Sequence, residues 1–408
     1  MNWKTAAAVA VIAIVVVAMA AYAISGWNGG SGTDDEGTGA ETVTDSVGRT
    51  VQIPDSLDNG IVVIGSSQSP LRMLSMFDTY DLIIEVDQNE VNNPLNGRGY
   101  AFAYDFTNMK YHASNVLESS TVQSIGESDP SLIVVSDKVY ASYSANAELL
   151  AQYYPTYVIN VDLDIWDESL GGISDEMTEA ITTLGTLLGQ KDRADELVDG
   201  IDSVVKDVRG LVGESDLQAF LAGSNYNGTN TLNTTLAHYM PFEITGINNS
   251  YKGNETGKIE IPAAQIGSLD IDIVFLDPST AEKYSDPTSQ AVMAYIHTIN
   301  NDSDPDNDIE VRCGFPVMGF GTNFDSVLVC SYYIAYCVYG GIGWEDLYER
   351  MESVYTIFYG DAGEGVLDAM VSAYDDRLAQ FGQDFQPFDS VEVVYSNGTY
   401  RFVAEGTA

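Results

Sequence analysis

Apolar residues fall along this chain in two alternating rhythms. Short β-branched runs recur at Ile61–Ile64, Leu82–Val86, Leu132–Val135 and Tyr157–Val161, then at Leu217–Ala222, Ile271–Leu276 and, more weakly, Ile309–Val311. Ile61–Ile64 is apolar at consecutive positions, the mark of a strand buried on both faces of a parallel sheet. Between the runs, apolar residues take helical spacing. The clearest stripe follows Asp192: Ala194, Leu197, Val198, Ile201, Val204, Val205, Val208, Leu211 and Val212, closed by Gly213. Such a helix is about 30 Å long at ~1.5 Å per residue. Strands alternating with helices predict βαβ units, here in two sets on either side of that helix. Val391–Phe402 alternates around Asn397-Gly398 and predicts a terminal β-hairpin.

The first residues follow neither rhythm. Ala6–Ile24 carries no charge and no turn residue. Its length approaches the ~20 residues of a membrane-crossing helix and exceeds the ~7–15 of a signal-peptide core. Ala21-Tyr22-Ala23 has the small-x-small form of a cleavage site. Two readings stand, a retained anchor, which the length favours, and a removed signal; in both, the remainder is exported. Only Lys4 precedes the segment, so the positive-inside rule specifies its orientation weakly. From Ser25 to Thr42 the chain is rich in Gly, Ser, Thr, Asp and Glu and is expected to be a flexible linker. About 365 residues remain, enough for two lobes of ordinary domain size.

Charge narrows the partners. Seventeen basic residues face 60 acidic ones, a formal net charge of −43. That excludes nucleic acid and anionic lipid surfaces as partners and suits a soluble exported domain, including one that works in high salt. Sequons at Asn227, Asn233, Asn248, Asn254, Asn301 and Asn397 are compatible with surface glycosylation. The three cysteines all lie within Cys313–Cys337, with no CxxC. Cys330 and Cys337 stand too far apart on a predicted helix to pair directly. Buried free thiols are favoured over a bridge from Cys313 to one of them.

Three segments carry a family resemblance. Residues 43–54, Val-Thr-Asp-Ser-Val-Gly-Arg-Thr-Val-Gln-Ile-Pro, run through a short strand into Ile61-Val62-Val63-Ile64-Gly65. Leu184-Gly-Thr-Leu-Leu-Gly precedes Arg193-Ala-Asp-Glu-Leu197 at the entry of the long helix. Gly319-Phe-Gly-Thr-Asn323 leads to a helix bearing Tyr332, Tyr333, Ala335 and Tyr339, followed by Glu345-Asp-Leu347 and Tyr355–Gly360. Together they resemble the substrate-binding proteins of ABC importers in the ferric siderophore, haem and cobalamin class, the class III type of periplasmic binding protein, over about residues 43–360. The resemblance implies an α/β fold of two Rossmann-like lobes with mainly parallel sheets, joined by a single long inter-lobe helix.

It also implies an organisation: 1–25 anchor or signal, 26–42 linker, 43–173 N-terminal ligand-binding lobe, 174–213 inter-lobe helical segment, 214–390 C-terminal ligand-binding lobe, and 391–408 terminal hairpin and tail. The implied function is capture of a metal chelate, delivered by a monomer to an ABC permease and its ATPase, without enzymatic activity. The runner-up is a sensor or adhesion ectodomain that keeps the fold without transport. Asp325 stands where the family's acid usually falls, and Gly340 replaces a proline. The resemblance places permease-docking glutamates ahead of Asp129-Pro130 and Asp270-Ile271, yet Gln123 and Ala264 occupy those positions, with Glu127 and Glu260 nearby.

In open parallel sheets, ligands bind at the carboxyl ends of the strands. The loop after the first strand holds Ser66, Ser67, Gln68 and Ser69-Pro70, which suit an N-cap and N1, with Arg72 on the following turn. Arg72 is either a partner for carboxylate or phosphate or a salt-bridge partner for one of the many acids. The long loop Asn92–Tyr111 brings Arg98, Tyr100, Phe102, Tyr104 and Phe106. Tyr140 follows the third strand, Trp166 the fourth, and Tyr226 the first strand of the second lobe, with Asn323 completing the set. The expected ligand-binding residues are Ser67, Gln68, Arg72, Tyr100, Tyr104, Tyr140, Trp166, Tyr226 and Asn323. An aromatic, amide-lined cleft suits a large planar ligand or chelate.

No catalytic or cofactor chemistry is expected. The chain contains no phosphate-binding glycine loop, nucleophile elbow or zinc-hydrolase helix. His112, His238 and His297 show no metal-ligand spacing. Asp302, Asp304, Asp306 and Asp308 resemble the start of a calcium loop, but the sixth position lacks Gly and the twelfth is Cys313, so a solvated acidic loop is favoured.

Overall fold

A computed structural model describes residues 41–406, except 67–68, 93–96, 227, 229, 303, 305–306 and 320. The apolar segment Ala6–Ile24 and the linker up to residue 40 therefore lie outside the described residues. Among those described, no helix is long and apolar enough to cross a membrane. The chain divides into two compact units. One comprises the residues up to Asn93, Phe106–Val161 and Ala180–Ala194; the other comprises Pro94–Asp105, Asp162–Glu179 and everything from Asp195.

The first unit opens with the hairpin β1 (Thr42–Thr44) and β2 (Thr50–Gln52), paired antiparallel around a turn at Gly48. Its sheet contains β3 (Ile61–Ile64), β4 (Ile83–Asp87), β5 (Lys110–His112), β6 (Leu132–Ser136) and β7 (Thr156–Ile159), in the order β5-β4-β3-β6-β7, all parallel. Every residue of β3 and β6 is buried, as their unbroken apolar runs require. Val62, Ile64, Ile133 and Val135 pack on Val122 and Ile125 of the helix Ser119–Ser128 and on Val139, Ala147 and Leu150 of the helix Asp137–Ala151. At Gly65 the backbone has φ +111° and passes so close to Ser136 that a Cβ would lie 2.3 Å from its Oγ. Only glycine fits there.

The opening motif closes the β7 edge of this sheet. Ser46 donates from its N–H (3.1 Å) and its Oγ (2.8 Å) to the Val158 carbonyl. The buried Asp45 carboxylate accepts from the Val158 N–H at 3.3 Å, and Arg49 Nη2 donates to the Thr156 carbonyl at 2.8 Å. Arg49 also donates to Asp45 Oδ2 through Nε (2.8 Å) and Nη2 (2.7 Å). The Ser46 N–H and these side chains thus supply the partners that a further strand would have given.

The second unit contains two small hairpins. One pairs β8 (Trp166–Asp167) with β9 (Gly172–Ile173). Its main sheet contains β10 (Gln218–Ala222), β12 (Asn248–Asn249), β14 (Ile273–Leu276), β15 (Glu310–Cys313), β16 (Ser390–Ser396) and β17 (Thr399–Ala404). The other pairs β11 (Thr234–Leu236) with β13 (Lys258–Glu260). The main sheet runs β12-β10-β14-β15-β16-β17; its first four strands are parallel and the terminal hairpin joins antiparallel. That hairpin turns at Asn397-Gly398, both at positive φ, as its sequence predicts. Phe220, Val274, Leu276 and Val311 form a core with Val292, Met293 and Ile296 of the helix Pro287–Ile299. On that helix Gln290 holds the outer edge of β17: its Oε1 accepts the Tyr400 N–H at 2.9 Å and its Nε2 donates to the Tyr400 carbonyl at 2.8 Å. Cys313, Cys330 and Cys337 are all free thiols.

The long amphipathic helix spans Lys191–Leu211 and buries Ala194, Leu197, Ile201, Val204, Val205 and Val208. It starts one residue before the expected Asp192. It passes from the first unit to the second at Ala194, and the helix Asp175–Leu187 likewise changes unit, at Glu179. The expectation of one such helix therefore becomes two. The segment Asn92–Tyr111, read from sequence as one loop, contains the short helix Tyr100–Ala103 and strand β5. Its residues from Pro94 to Asp105 belong to the second unit.

Candidate functional site

A parallel sheet offers a crevice where neighbouring strands send their connections in opposite directions. Strand order places that point at β3 and β6 in the first unit, and at β10 and β14 in the second. In both units a buried aspartate organises the loops nearby.

In the first unit Asp87 ends β4 and is 1% exposed. Its Oδ1 accepts the Asn89 N–H at 3.0 Å, and its Oδ2 accepts the Asn115 N–H at 2.6 Å. Asn115 has φ +53°, a left-handed conformation that Asn tolerates. Its Oδ1 accepts the Ser66 N–H at 3.0 Å. Ser66 Oγ accepts from Asn89 Nδ2 (2.9 Å) and Asn115 Nδ2 (3.1 Å). The loops after β3, β4 and β5 are thereby fixed to one another. Ser67 and Gln68, which follow Ser66, lie outside the described residues. Arg72 is on the single turn Leu71–Leu74 with its side chain buried. Pro70, rather than Ser69, takes the N-cap position, while Ser69 Oγ accepts the Leu71 N–H at 3.2 Å. Tyr140 lies beneath the Arg49 guanidinium at 4.9 Å and donates to Glu148 Oε1 at 2.7 Å.

In the second unit Asp277 follows β14 and is 5% exposed. Its Oδ1 accepts the Ser279 N–H and its Oδ2 the Asn225 N–H, each at 2.9 Å. Burial raises its pKa above the usual carboxylate value, opposed by those two amides and by Arg377. Asn225 Nδ2 reaches the Met318 carbonyl at 3.4 Å, linking the loop after β10 to the loop after β15. Asn323 ends that second loop, its N–H (2.9 Å) and Nδ2 (3.2 Å) both on the Val317 carbonyl. Asn323 Oδ1 and Ser224 Oγ are buried acceptors without a hydrogen-bond partner among the described residues. Such groups are costly unless something else bonds them.

Of the expected residues, the second unit brings Tyr226 and Asn323 onto these two linked loops. The other aromatics sit elsewhere in it. Tyr100 is 1% exposed and accepts from Arg98 Nη1 at 3.1 Å. Tyr104 donates to the Tyr359 carbonyl at 3.4 Å, and Tyr359 donates to Asp325 Oδ2 at 2.8 Å. Trp166 lies beneath Arg209, whose guanidinium carbon is 5.4 Å from its ring centroid and whose Nη1 bonds the Ile244 carbonyl at 2.8 Å. Asp87, Asn115 and Asp277 were not among the expected residues. Their signal is shared: Val86-Asp87 and Leu276-Asp277 each end a buried strand with an aspartate. Among the described residues no group of three or more His, Cys, Asp or Glu is placed to hold a metal ion.

Residues 118–294 match the family model "Periplasmic binding protein". No curated protein is significantly similar in sequence. Solved structures are similar in fold. An ABC transporter solute binding protein from Sulfurospirillum deleyianum aligns at a TM-score of 0.53 and 16% identity, covering 78% of this chain and 95% of that one. A periplasmic solute binding protein from Veillonella parvula aligns at 0.52 and 14%, covering 80% and 96%. CeuE from Helicobacter pylori, with Ni(II) bound, aligns at 0.51 and 16%, covering 81% and 99%. Residues 118–294 thus match the periplasmic binding protein family model, and the chain that carries them has an α/β fold similar to that of these solute-binding proteins.

Proposed function

We propose that this protein is the extracytoplasmic solute-binding component of an ABC importer and that it captures a metal chelate for a permease and its ATPase. The observation that carries the reading is the pair of parallel sheets, each with its strand-end loops locked around a buried aspartate, in a chain whose residues 118–294 match a binding-protein family. The groups these loops offer are amides, hydroxyls and the Tyr226 phenol, which suit an oxygen-rich chelate. The metal arrives inside its chelator, as cargo. Ser67, Gln68 and Arg72 remain ligand-contact candidates of the first unit, and Tyr226 and Asn323 of the second.

A thermal-shift screen with a ferric tris-hydroxamate, a ferric tris-catecholate, haemin and cyanocobalamin tests the reading. A ligand at about 100 times its Kd adds ~2.7 kcal/mol to the native state, and the melting point should rise by several degrees. If all four leave it unchanged, the chelate assignment fails.

The second reading, a sensor or adhesion ectodomain, draws on the docking positions. Gln123 is exposed and donates to Glu127 at 3.1 Å, and Ala264 is exposed on the turn Ala263–Ile266. Neither carries charge to offer a permease. A permease and ATPase that co-purify with the protein would favour transport; a signalling partner would favour the second reading.

Ala6–Ile24 is proposed as a retained anchor. The native protein is expected to stay with membranes through a high-salt wash. N-terminal sequencing that begins at Tyr22 or Ser25 would refute it.

A further inference from the structure

The loop Gly223–Asn230 is held from its start by the Thr234 carbonyl, which accepts the N–H groups of Gly223 (2.9 Å) and Ser224 (3.4 Å), and beyond that by its own bonds. Asn230 Nδ2 bonds the carbonyls of Ser224 (2.6 Å), Tyr226 (3.0 Å) and Gly228 (2.6 Å), and Lys258 Nζ holds Asn230 Oδ1 at 3.1 Å. Asn225 ties this body to β14 through the Asp277 carboxylate. We propose that Asp277 is a positioning residue: its ionised carboxylate fixes the Asn225 amide and thereby sets where Ser224 and Tyr226 meet the ligand. The proposal rests on the reading of these loops as the ligand site.

The chemistry requires the charged form. An ionised carboxylate only accepts hydrogen bonds, and here each oxygen faces one backbone N–H, from Asn225 and from Ser279. A carboxamide places a donor against one of those donors, so one bond is lost, and a protonated acid keeps only a weaker acceptor at its hydroxyl oxygen. The first unit repeats the device, with Asp87 between the Asn89 and Asn115 amides.

The groups around Asp277 leave it sensitive to acid. Arg377 is the cation beside it and holds the Ser279 carbonyl at 2.9 Å. Tyr239, Tyr284, Tyr374, Cys313 and Cys330 also face it; burial raises the pKa of each and keeps it neutral. Because burial also raises the Asp277 carboxyl, its proton returns at a higher pH than for an ordinary surface acid. As pH falls, the loop should loosen before the surface carboxylates titrate.

Hydrogen exchange on the full-length chain reads the loop without a ligand. In Asp277→Asn, amides of residues 223–230 should exchange about tenfold faster after correction for intrinsic rates, the effect of one lost hydrogen bond, with β10 and β14 unchanged. The four chelate probes read the consequence. Affinity should fall about tenfold in Asp277→Asn, and the acid-side loss of affinity expected of the native protein should be absent. Asn230→Ala loosens the loop without touching the carboxylate, so it should weaken binding yet keep the pH dependence; it decides the matter if Asp277→Asn does not fold. Native-like exchange in Asp277→Asn, or undiminished affinity with a loosened loop, overturns the proposal. If none of the probes binds the native protein, the chelate reading falls, while exchange still decides whether Asp277 holds the loop.

Discussion

Asp45→Ala is expected to destabilise the first unit by about 3 kcal/mol, the scale for removing one member of a largely buried ion pair. Four groups lose their acceptor together: the N–H groups of Val47, Arg49 and Val158, and the Arg49 guanidinium. The Asp45 side chain is fully buried, and that of Arg49 only 19% exposed. Arg49 also carries bonds to the Thr156 carbonyl and to Glu148, so its displacement should open the β7 edge along with the turn. Asp45→Asn keeps the volume and one acceptor, and should cost about half as much. Denaturant unfolding measures the loss, and hydrogen exchange at Val158 shows where it acts. A change below about 1 kcal/mol would mean that water replaces the carboxylate at no great cost.

The second large effect is at Glu85, a carboxylate wholly buried in β4. Lys110 Nζ lies 2.7 Å from its Oε2, Ser128 Oγ donates to Oε2 at 2.9 Å, and His112 Nδ1 is 3.5 Å from Oε1. Burial alone would raise its pKa; the neighbouring His112 ring and the contacts from Lys110 and Ser128 outweigh that and bring it down from 4.5 to about 2. A carboxyl depressed in the folded state stabilises the fold fully above its unfolded value. That contribution is lost as pH falls from about 4.5 towards 2. At ~1.36 kcal/mol per unit it amounts to about 2–3 kcal/mol, given that Lys110 is half in solvent. Melting curves against pH should therefore differ between the native protein and Glu85→Gln, the gap closing across that window. The comparison is necessary because protonating the acidic surface also relieves the repulsion of a chain at −43. Parallel curves would mean that Glu85 is bound no better in the folded state than in the unfolded one.

The central strands of both sheets were legible because burial on two faces forces strongly apolar runs. Ile61–Ile64 matches its run fully, and Leu132–Ser136 and Gln218–Ala222 match theirs to within one residue. Strand β5 was not, since Lys110-Tyr-His112 is an edge strand whose first two residues face water. The loops that carry the candidate site were placed by topology, but the residues that hold them were not. Asp87 and Asp277 are two among 60 acids, and no periodicity marks an aspartate whose partners are backbone amides. Tyr100 and Trp166, expected as ligand contacts from their places after the strands, each lie against a cation of their own unit, Arg98 and Arg209. The pairing of Trp166 with Arg209 is long-range in sequence and leaves no local trace.

Gln290 has a bearing on how the molecule lives at high concentration. A primary amide carries the same donor and acceptor as a peptide group, and Gln290 presents both to Tyr400, where the backbone of a neighbouring molecule would otherwise bind. At the far end of the other sheet, Asp45, Ser46 and Arg49 do the same for Val158 and Thr156. Open strand edges are templates for self-association, and the danger grows when salt screens a strongly acidic surface, because repulsion then no longer keeps copies apart. An amide at β17 and an ion pair at β7 each close one edge of a sheet to a second copy. Self-association through these two edges is then opposed by geometry as well as by charge.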